Sequence, residues 1–103
     1  MMIDGRPYSN ENGYEDKALI TDRPKEQVAL VCAWIRKNIR PRKTPMLERT
    51  SYGLKHDFEH DTGLYLTNNE FKDAMLLCGY YPVDQNKLNW CYCISKRSPV
   101  FMR

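Results

Sequence analysis

Residues 50–95 hold the strongest local signals in the chain, and they read TSYGLKHDFEHDTGLYLTNNEFKDAMLLCGYYPVDQNKLNWCYCIS. At their centre, Thr67-Asn68-Asn69-Glu70 predicts the start of a helix. The Thr67 hydroxyl can accept from the third backbone N–H of that helix, while the Glu70 carboxylate reaches back to the N–H of Thr67. Apolar residues at helical spacing and a terminating glycine then follow: Phe71, Ala74, Met75, Cys78 and Gly79.

A second helix and a short strand are expected ahead of this capped helix. Thr50 or Ser51 supplies a hydroxyl cap, and Gly63 suits the left-handed position that closes a helix. Leu64-Tyr65-Leu66 is too short for a helix and consists of strand-compatible residues. The order predicted so far is helix, brief strand and capped helix.

Two strand candidates after the capped helix predict a β-hairpin. They are Tyr80–Val83 and Leu88–Ser95, and the polar turn Asp84–Lys87 joins them. Apolar and less apolar residues alternate along the second strand, which predicts one packed face and one more open face. Pro82 places the first strand at a sheet edge, or itself lies near the end of that strand.

A further helix is expected upstream, from Pro24 to Asn38. Pro24 suits the first turn, where its missing N–H costs nothing. Five residues at helical spacing predict its buried stripe: Val28, Val31, Cys32, Ile35 and Ile39. Pro41 and Pro45 then bracket a basic connector, RPRKTP, which we interpret as a phosphate-contacting loop or a stiff link.

Composition indicates one soluble domain. The chain has 103 residues, of which 42% are hydrophobic and 28% charged. We see neither an apolar run that could span a membrane nor a signal-peptide pattern, so we expect no membrane contact. We expect a cytoplasmic protein, or a nucleoid-associated one if it binds DNA, with four reduced cysteines.

Charge is unevenly spread and marks the domain boundaries. Residues 1–21 are polar and acid-rich and are predicted to form a flexible N-terminal arm. Residues 22–97 form the predicted domain, and residues 98–103 form a basic tail. Over residues 36–49, six bases face a single acid. A cluster that dense can bind phosphate backbones, although it also fits a solvated linker.

The order of three helices followed by a hairpin predicts an α+β fold, a winged helix-turn-helix with a β-hairpin wing and a short extra strand. Residues 64–95 resemble the winged-helix tail of phage and poxvirus-type primase-helicases, and small uncharacterised proteins of phages and mobile elements in Gram-positive bacteria. The residues that carry the resemblance are Tyr65, Thr67, Asn68, Glu70, Phe71, Ala74, Gly79, Tyr80 and Trp90. They are mostly helix caps and core positions, so they specify a fold more than an activity. The chain lacks a Walker-type loop, which excludes the helicase itself.

The resemblance implies a DNA-binding accessory or regulatory protein of a phage or mobile element. No catalytic constellation stands out among the residues, so we expect no enzymatic activity and no cofactor. In a winged helix the third helix enters the major groove, and we expect Asn68, Asn69, Lys72 and Asp73 to be exposed on it. The predicted nucleic-acid-binding residues are Arg36, Lys37, Arg40, Arg42, Lys43, Arg49, Lys55, Asn68, Asn69 and Lys72. We expect backbone contacts from the arginines and Lys43 to dominate, because the third helix is not basic.

Other interpretations remain open from the sequence. The alternative function is a protein-interaction module, an inhibitor or adaptor of a host nucleic-acid enzyme such as an anti-CRISPR-type protein. Its partner is a host protein, and a homodimer is also compatible with the sequence. An aromatic-rich exposed patch favours this alternative, and the tyrosines and tryptophans available for it are Tyr52, Tyr65, Tyr80, Tyr81, Trp90 and Tyr92.

Metal binding and catalysis are weaker interpretations. His56 and His60 share a helix face, and Cys91 and Cys93 share a strand face, which together supply four ligands of zinc type. The Cys-x-Cys spacing is not the usual zinc knuckle, however. Residues 56–61 hold five titratable groups, but nothing orients a base toward a nucleophile. A polar helix face is the favoured interpretation.

Overall fold

The structure is a computed structural model that describes residues 1–8 and 15–103. It is an α+β domain in which three helices pack with two small antiparallel sheets. The helices are α1 (Lys25–Asn38), α2 (Ser51–Thr62) and α3 (Asn68–Leu77). The strands are β1 (Met2–Ile3) paired with β2 (Arg6–Pro7), and β3 (Pro41–Met46) paired with β4 (Tyr92–Ile94). Two single 3-10 turns lie at Ile20–Asp22 and Pro99–Phe101.

All three predicted helices are confirmed, because their end signals are local. α1 follows Pro24, and α2 closes at Gly63, whose φ of 76° lies in the left-handed region that favours glycine. The capping box of α3 is complete: Glu70 N donates to Thr67 Oγ1 at 3.1 Å, and Thr67 N donates to Glu70 Oε1 at 2.9 Å.

The core lies where the helices meet the β3–β4 sheet. Trp34 of α1 packs edge-on against Phe58 of α2 and Phe71 of α3, with ring centroids 5.6 and 6.3 Å apart. The other buried hydrophobic residues are Ile20, Val31, Cys32, Ile35, Ile39, Met46, Leu54, Leu66, Ala74, Met75, Trp90, Tyr92, Ile94 and Val100. The predicted stripe of α1 is thus confirmed, with Val28 at its partly buried margin.

The basic connector forms a strand, which the sequence analysis did not predict. β3 covers most of RPRKTP and pairs with β4, with Pro41 opposite Ile94 and Met46 opposite Tyr92. An irregularity between those two points contains Pro45, which cannot donate to the ladder. The strand could not be predicted from residue propensities, because its two prolines are unfavourable in strands and its partner lies far along the chain.

The predicted hairpin and the predicted Leu64–Leu66 strand are wrong. Tyr80–Val83 is not a strand; its link to the chain before β4 is a bond from Val83 N to Cys91 O at 2.9 Å. Leu66 N donates to the Glu59 carboxylate at 3.0 Å, so a side chain takes the place of a strand partner. The predicted alternation before Ser95 does hold, since Trp90, Tyr92 and Ile94 are fully buried.

The described parts of the predicted flexible arm pack on the domain. β1 and β2 form a small hairpin, and Ile20 is fully buried in the core. Arg6 and Asp16 make hydrogen bonds to α3. These bonds offset the conformational entropy that this polar segment loses when it becomes ordered. Residues 9–14 of the predicted arm lie outside the described residues.

The predicted basic tail also joins the fold. Val100 is 7% exposed and belongs to the core, and Ser98 is fully buried. The Ser98 hydroxyl accepts from Arg40 N at 2.8 Å. Arg103 Nη1 donates to the Asp61 carboxylate at 2.6 Å. No helix within residues 1–8 and 15–103 has the length and apolar character needed to cross a membrane.

Candidate nucleic-acid interface

The expected exposure of α3 is wrong. Asn69, Lys72 and Asp73, which the sequence analysis placed on an open recognition face, are fully buried, and Asn68 is half-buried. Leu77, at the end of the helix, is its one exposed position. α3 is therefore enclosed on nearly all sides and offers no row of polar side chains to a nucleic-acid groove.

The N-terminal segment covers the polar face of α3. Arg6 donates to both carboxylate oxygens of Asp73 at 2.7 Å, and Ile20 N donates to the same carboxylate at 3.0 Å. Asn69 Nδ2 donates to the backbone carbonyls of Pro7 at 3.0 Å and Ala18 at 2.9 Å. The polar side chains of α3 therefore anchor the N-terminal segment that crosses this helix.

The buried charged side chains on this face have partners. Arg23 donates to both oxygens of Glu70 at 2.5 and 3.0 Å. Burial alone would raise the pKa of Glu70, but the hydrogen bonds from Arg23 and from Thr67 outweigh it, so the pKa is lowered. Lys72 Nζ lies 4.5 Å from the Trp90 ring centre and donates to Leu88 O at 2.9 Å.

Three more predicted binding residues are also engaged inside the protein. Lys55 is 3% exposed and pairs with Glu59 at 3.0 Å. Arg49 pairs with Asp57. Asn68 accepts from Ser51 Oγ at 2.9 Å and donates to Leu88 O at 3.2 Å. Of the ten predicted binding residues, these three, Asn69 and Lys72 serve internal contacts.

The other five predicted residues are exposed or partly exposed and are here called the basic surface: Arg36, Lys37, Arg40, Arg42 and Lys43. α1 supplies the first two in its last turn, and Arg42 and Lys43 lie on β3. Arg40 joins the two elements, because its guanidinium donates to the carbonyls of Arg36 at 2.7 Å and Lys37 at 3.3 Å. Cations at this helix end also interact favourably with the helix dipole.

The basic surface keeps its charge available. Within residues 1–8 and 15–103, none of its five side chains forms a salt bridge with a carboxylate. Glu48 is the acid that interacts with Arg42, but its salt bridge is with Lys96 at 3.3 Å. A backbone hydrogen bond and the Lys96 contact lower the pKa of Glu48.

Arg97 is a neighbour of this surface that the sequence analysis missed. It is exposed and lies in the turn between Ser95 and Ser98, both of which bond to the backbone of Arg40. The β3–β4 pairing creates this proximity. Only a signal for that long-range pairing could have revealed it, and the prolines of β3 remove such a signal.

The zinc and catalytic interpretations gain no geometric support. His56 lies 3.2 Å from Glu59, while the side chain of His60 is 88% exposed. In the part of the chain that the structure describes, no three histidines, cysteines or carboxylates gather to hold a metal ion. Burial raises the pKa of Cys91, so this thiol stays protonated and is a poor nucleophile at neutral pH.

The remaining carboxylates of α2 have structural partners. Asp61 accepts from Trp34 Nε1 at 2.8 Å as well as from Arg103, and these hydrogen bonds, Arg103 first, lower its pKa. Burial raises the pKa of Asp57 despite its Arg49 partner. The polar face of α2 thus ties α1 and the C-terminal turn to the helix.

Comparisons with protein-family models, with curated proteins and with solved structures give no match for this chain.

Proposed function

We propose that this protein binds nucleic acid without catalysing a reaction, and that the basic surface contacts the phosphate backbone. DNA is the proposed partner. Contacts of this kind release counterions, so the affinity depends steeply on salt and weakly on base sequence.

The proposal rests on one observation: the two sets of polar residues predicted to contact a nucleic acid differ in their exposure and pairing. The polar side chains of α3 are buried and paired, whereas the five cations of the basic surface are at least partly exposed and have no salt bridge among the described residues. An exposed cluster of one sign raises the local potential and attracts a polyanion.

We further propose that the fold is a winged-helix variant. β3 lies between α1 and α2, and its partner β4 follows α3, so the sheet closes one side of the three-helix unit. Tyr80–Val83 takes the place of a wing strand and keeps one backbone bond to Cys91. In this variant the N-terminal segment covers α3, and contact shifts to α1 and β3.

The alternative function, a protein-interaction module, has one specific observation in its favour. Tyr52 and Tyr65 are 51% and 64% exposed, and both rings contact the Lys55 ammonium, at 5.5 and 4.8 Å from the ring centres. Tyrosines are enriched at protein interfaces. A role in a phage or mobile element, or as an inhibitor of a host enzyme, rests on the sequence resemblance alone.

The proposal is tested by DNA binding at about 50 mM and about 200 mM salt. Wild type is compared with Arg40→Ala/Arg42→Ala/Lys43→Ala. The control is Lys17→Ala/Lys25→Ala/Lys87→Ala, which removes three exposed lysines that lie elsewhere. Both variants lose three positive charges, so they separate the basic surface from net charge.

We expect the basic-surface variant to lose most of the affinity and to reduce the slope of log affinity against log salt by about 2 to 3. The control variant should bind nearly as wild type does. Equal losses in the two variants, or no binding of wild type at low salt, contradict the proposal. Thermal unfolding of each variant verifies that it is folded.

A further inference from the structure

A groove of about 430 Å³ opens beside the basic surface. Pro41 and Arg42 of β3, with Cys93 of β4, form one side, and the segment Cys78–Tyr81 after α3 forms the other. We call it the β3 groove. No Asp or Glu of the described chain lines it. The groove is therefore a concave site with positive charge at its rim.

The aromatic side of the β3 groove is both fixed and open. Gly79, with φ at 88°, ends α3 and turns the chain along the groove. The Tyr80 hydroxyl donates to Ile39 O at 3.2 Å, which holds that residue against the body. Tyr81, its neighbour, is 68% exposed. An exposed ring beside cations is the platform on which an unpaired base stacks.

Cations flank the same rings. Arg42 donates to the carbonyls of Thr44 at 2.8 Å and Pro45 at 2.6 Å, which orients its guanidinium and uses two of its five N–H groups. Burial raises the pKa of Tyr80, and the charge of nearby Arg40 opposes that rise. Arg42 therefore lines the groove together with Tyr80 and Tyr81, and the charge of Arg40 reaches Tyr80.

The Cys78 side chain in the groove is neutral. Burial and the adjacent Cys32 raise the pKa of Cys78 to about 12, so this thiol carries no charge at neutral pH. A neutral thiol leaves the arginine charges undiminished and suits the flat face of a base better than it suits an anion.

We propose that the β3 groove selects single-stranded nucleic acid over duplex, with one base stacked on Tyr81 and the adjoining phosphates on Arg40 and Arg42. This inference rests on the proposed function of the basic surface and adds its substrate class. In a duplex the bases are already paired and stacked, so no base face reaches Tyr81. α3, the element that would enter a duplex groove, is enclosed.

Fluorescence anisotropy with two probes at the same salt concentration tests the inference. The probes are a thymine oligonucleotide of about 10 nucleotides and a DNA hairpin duplex with a similar number of phosphates; a uracil oligoribonucleotide distinguishes RNA from DNA. The variants are Tyr81→Ala and the conservative Tyr81→Phe. Tyr65→Ala is the matched control, because Tyr65 is 64% exposed and does not line the groove.

We expect the single strand to bind more tightly than the duplex, and Tyr81→Ala to weaken single-strand binding by about 5- to 150-fold. Tyr81→Phe and Tyr65→Ala should bind as wild type does, and duplex binding should not respond to Tyr81. An iodouracil oligonucleotide should crosslink to Tyr81.

Three results overturn the inference. Equal binding of single strand and duplex removes the selectivity, and full binding by Tyr81→Ala removes the stacking contact. In both of these cases, loss of binding in the Arg40→Ala/Arg42→Ala/Lys43→Ala variant would still support the proposed function. Only the role assigned to the β3 groove would then be wrong. If wild type binds neither probe, both proposals fail together.

Discussion

α3 and the basic surface place polar residues of similar types in opposite environments. On α3, Lys72 and Asp73 are fully buried and held by Leu88 O and Arg6. On the basic surface, Arg40 and Lys43 are exposed and form no salt bridge among the described residues. Polar residues are thus held in internal contacts in one region and remain accessible in the other, and the difference depends on what covers them.

Because the N-terminal segment covers α3, removing a polar side chain of this helix should lower the free energy of unfolding. Each buried donor or acceptor left without a partner costs about 1–3 kcal/mol, whereas an exposed charge costs little. Substitutions in the two regions should therefore separate cleanly into stability effects and binding effects.

The largest effect is expected for Asp73→Ala. The change removes the acceptor of the Ile20 backbone N–H, which is buried, and the partner of Arg6. We expect the free energy of unfolding to fall by about 2–3 kcal/mol, measured by urea denaturation. Arg6→Ala should also lower the free energy of unfolding, because it leaves the fully buried Asp73 carboxylate without its counterion. A neutral Asp73→Ala contradicts the anchoring role of α3.

A smaller loss is expected for Thr67→Ala, which removes one half of the capping box. The Glu70 N–H at the start of α3 loses its acceptor, and the Asp16 carboxylate loses a donor. We expect a loss of about 1 kcal/mol, again from urea denaturation. Thr67→Ser keeps the hydroxyl and should retain most of the stability; a loss equal to that of alanine would show that the cap does not matter.

Acid should weaken the α3 face through Glu70. Its pKa is lowered below the ordinary 4.5 in the folded protein, so its contribution to stability is full above that pH. The contribution is lost as the pH falls through 4.5 toward the folded pKa. We expect the difference in free energy of unfolding between wild type and Glu70→Gln to become smaller as the pH falls. Urea denaturation midpoints at several pH values measure this difference. A gap that stays constant contradicts the Arg23–Glu70 pair as its source.

The smallest effect on stability is expected for Lys43→Ala. Lys43 is exposed on β3 and has no salt bridge among the residues that the structure describes. The free energy of unfolding should change by less than about 0.5 kcal/mol, while DNA affinity falls and the salt slope decreases by about 1. Thermal unfolding and anisotropy on the same sample give both values. A destabilised Lys43→Ala would place the residue in the fold instead of the binding surface.

The sequence predicted what depends on neighbours in the chain and missed what depends on distant pairing. Gly63 and the Thr67–Glu70 box set helix ends within a few residues, and they are confirmed. β3 was missed because Pro41 and Pro45 lower its strand propensity and its partner β4 lies far away.

The candidate site was predicted in part for the same reason. The charge density that marks Arg40, Arg42 and Lys43 can be counted from the sequence. The burial of Asn69 and Lys72 could not be predicted, because an amphipathic pattern does not show that a polar N-terminal segment covers the polar face. A segment without apolar periodicity looks like a flexible arm even when hydrogen bonds hold it.

The most direct test of the account is to map the contact by NMR. Isotope-labelled protein is titrated with a thymine oligonucleotide, and backbone amide shifts are followed along the chain. We predict that the largest shifts fall in residues 36–44, 79–83 and 95–98, which form the basic surface, the β3 groove and the adjoining turn. Shifts centred on residues 67–73 of α3, or on residues 52–65, would contradict the claim that nucleic acid meets α1 and β3.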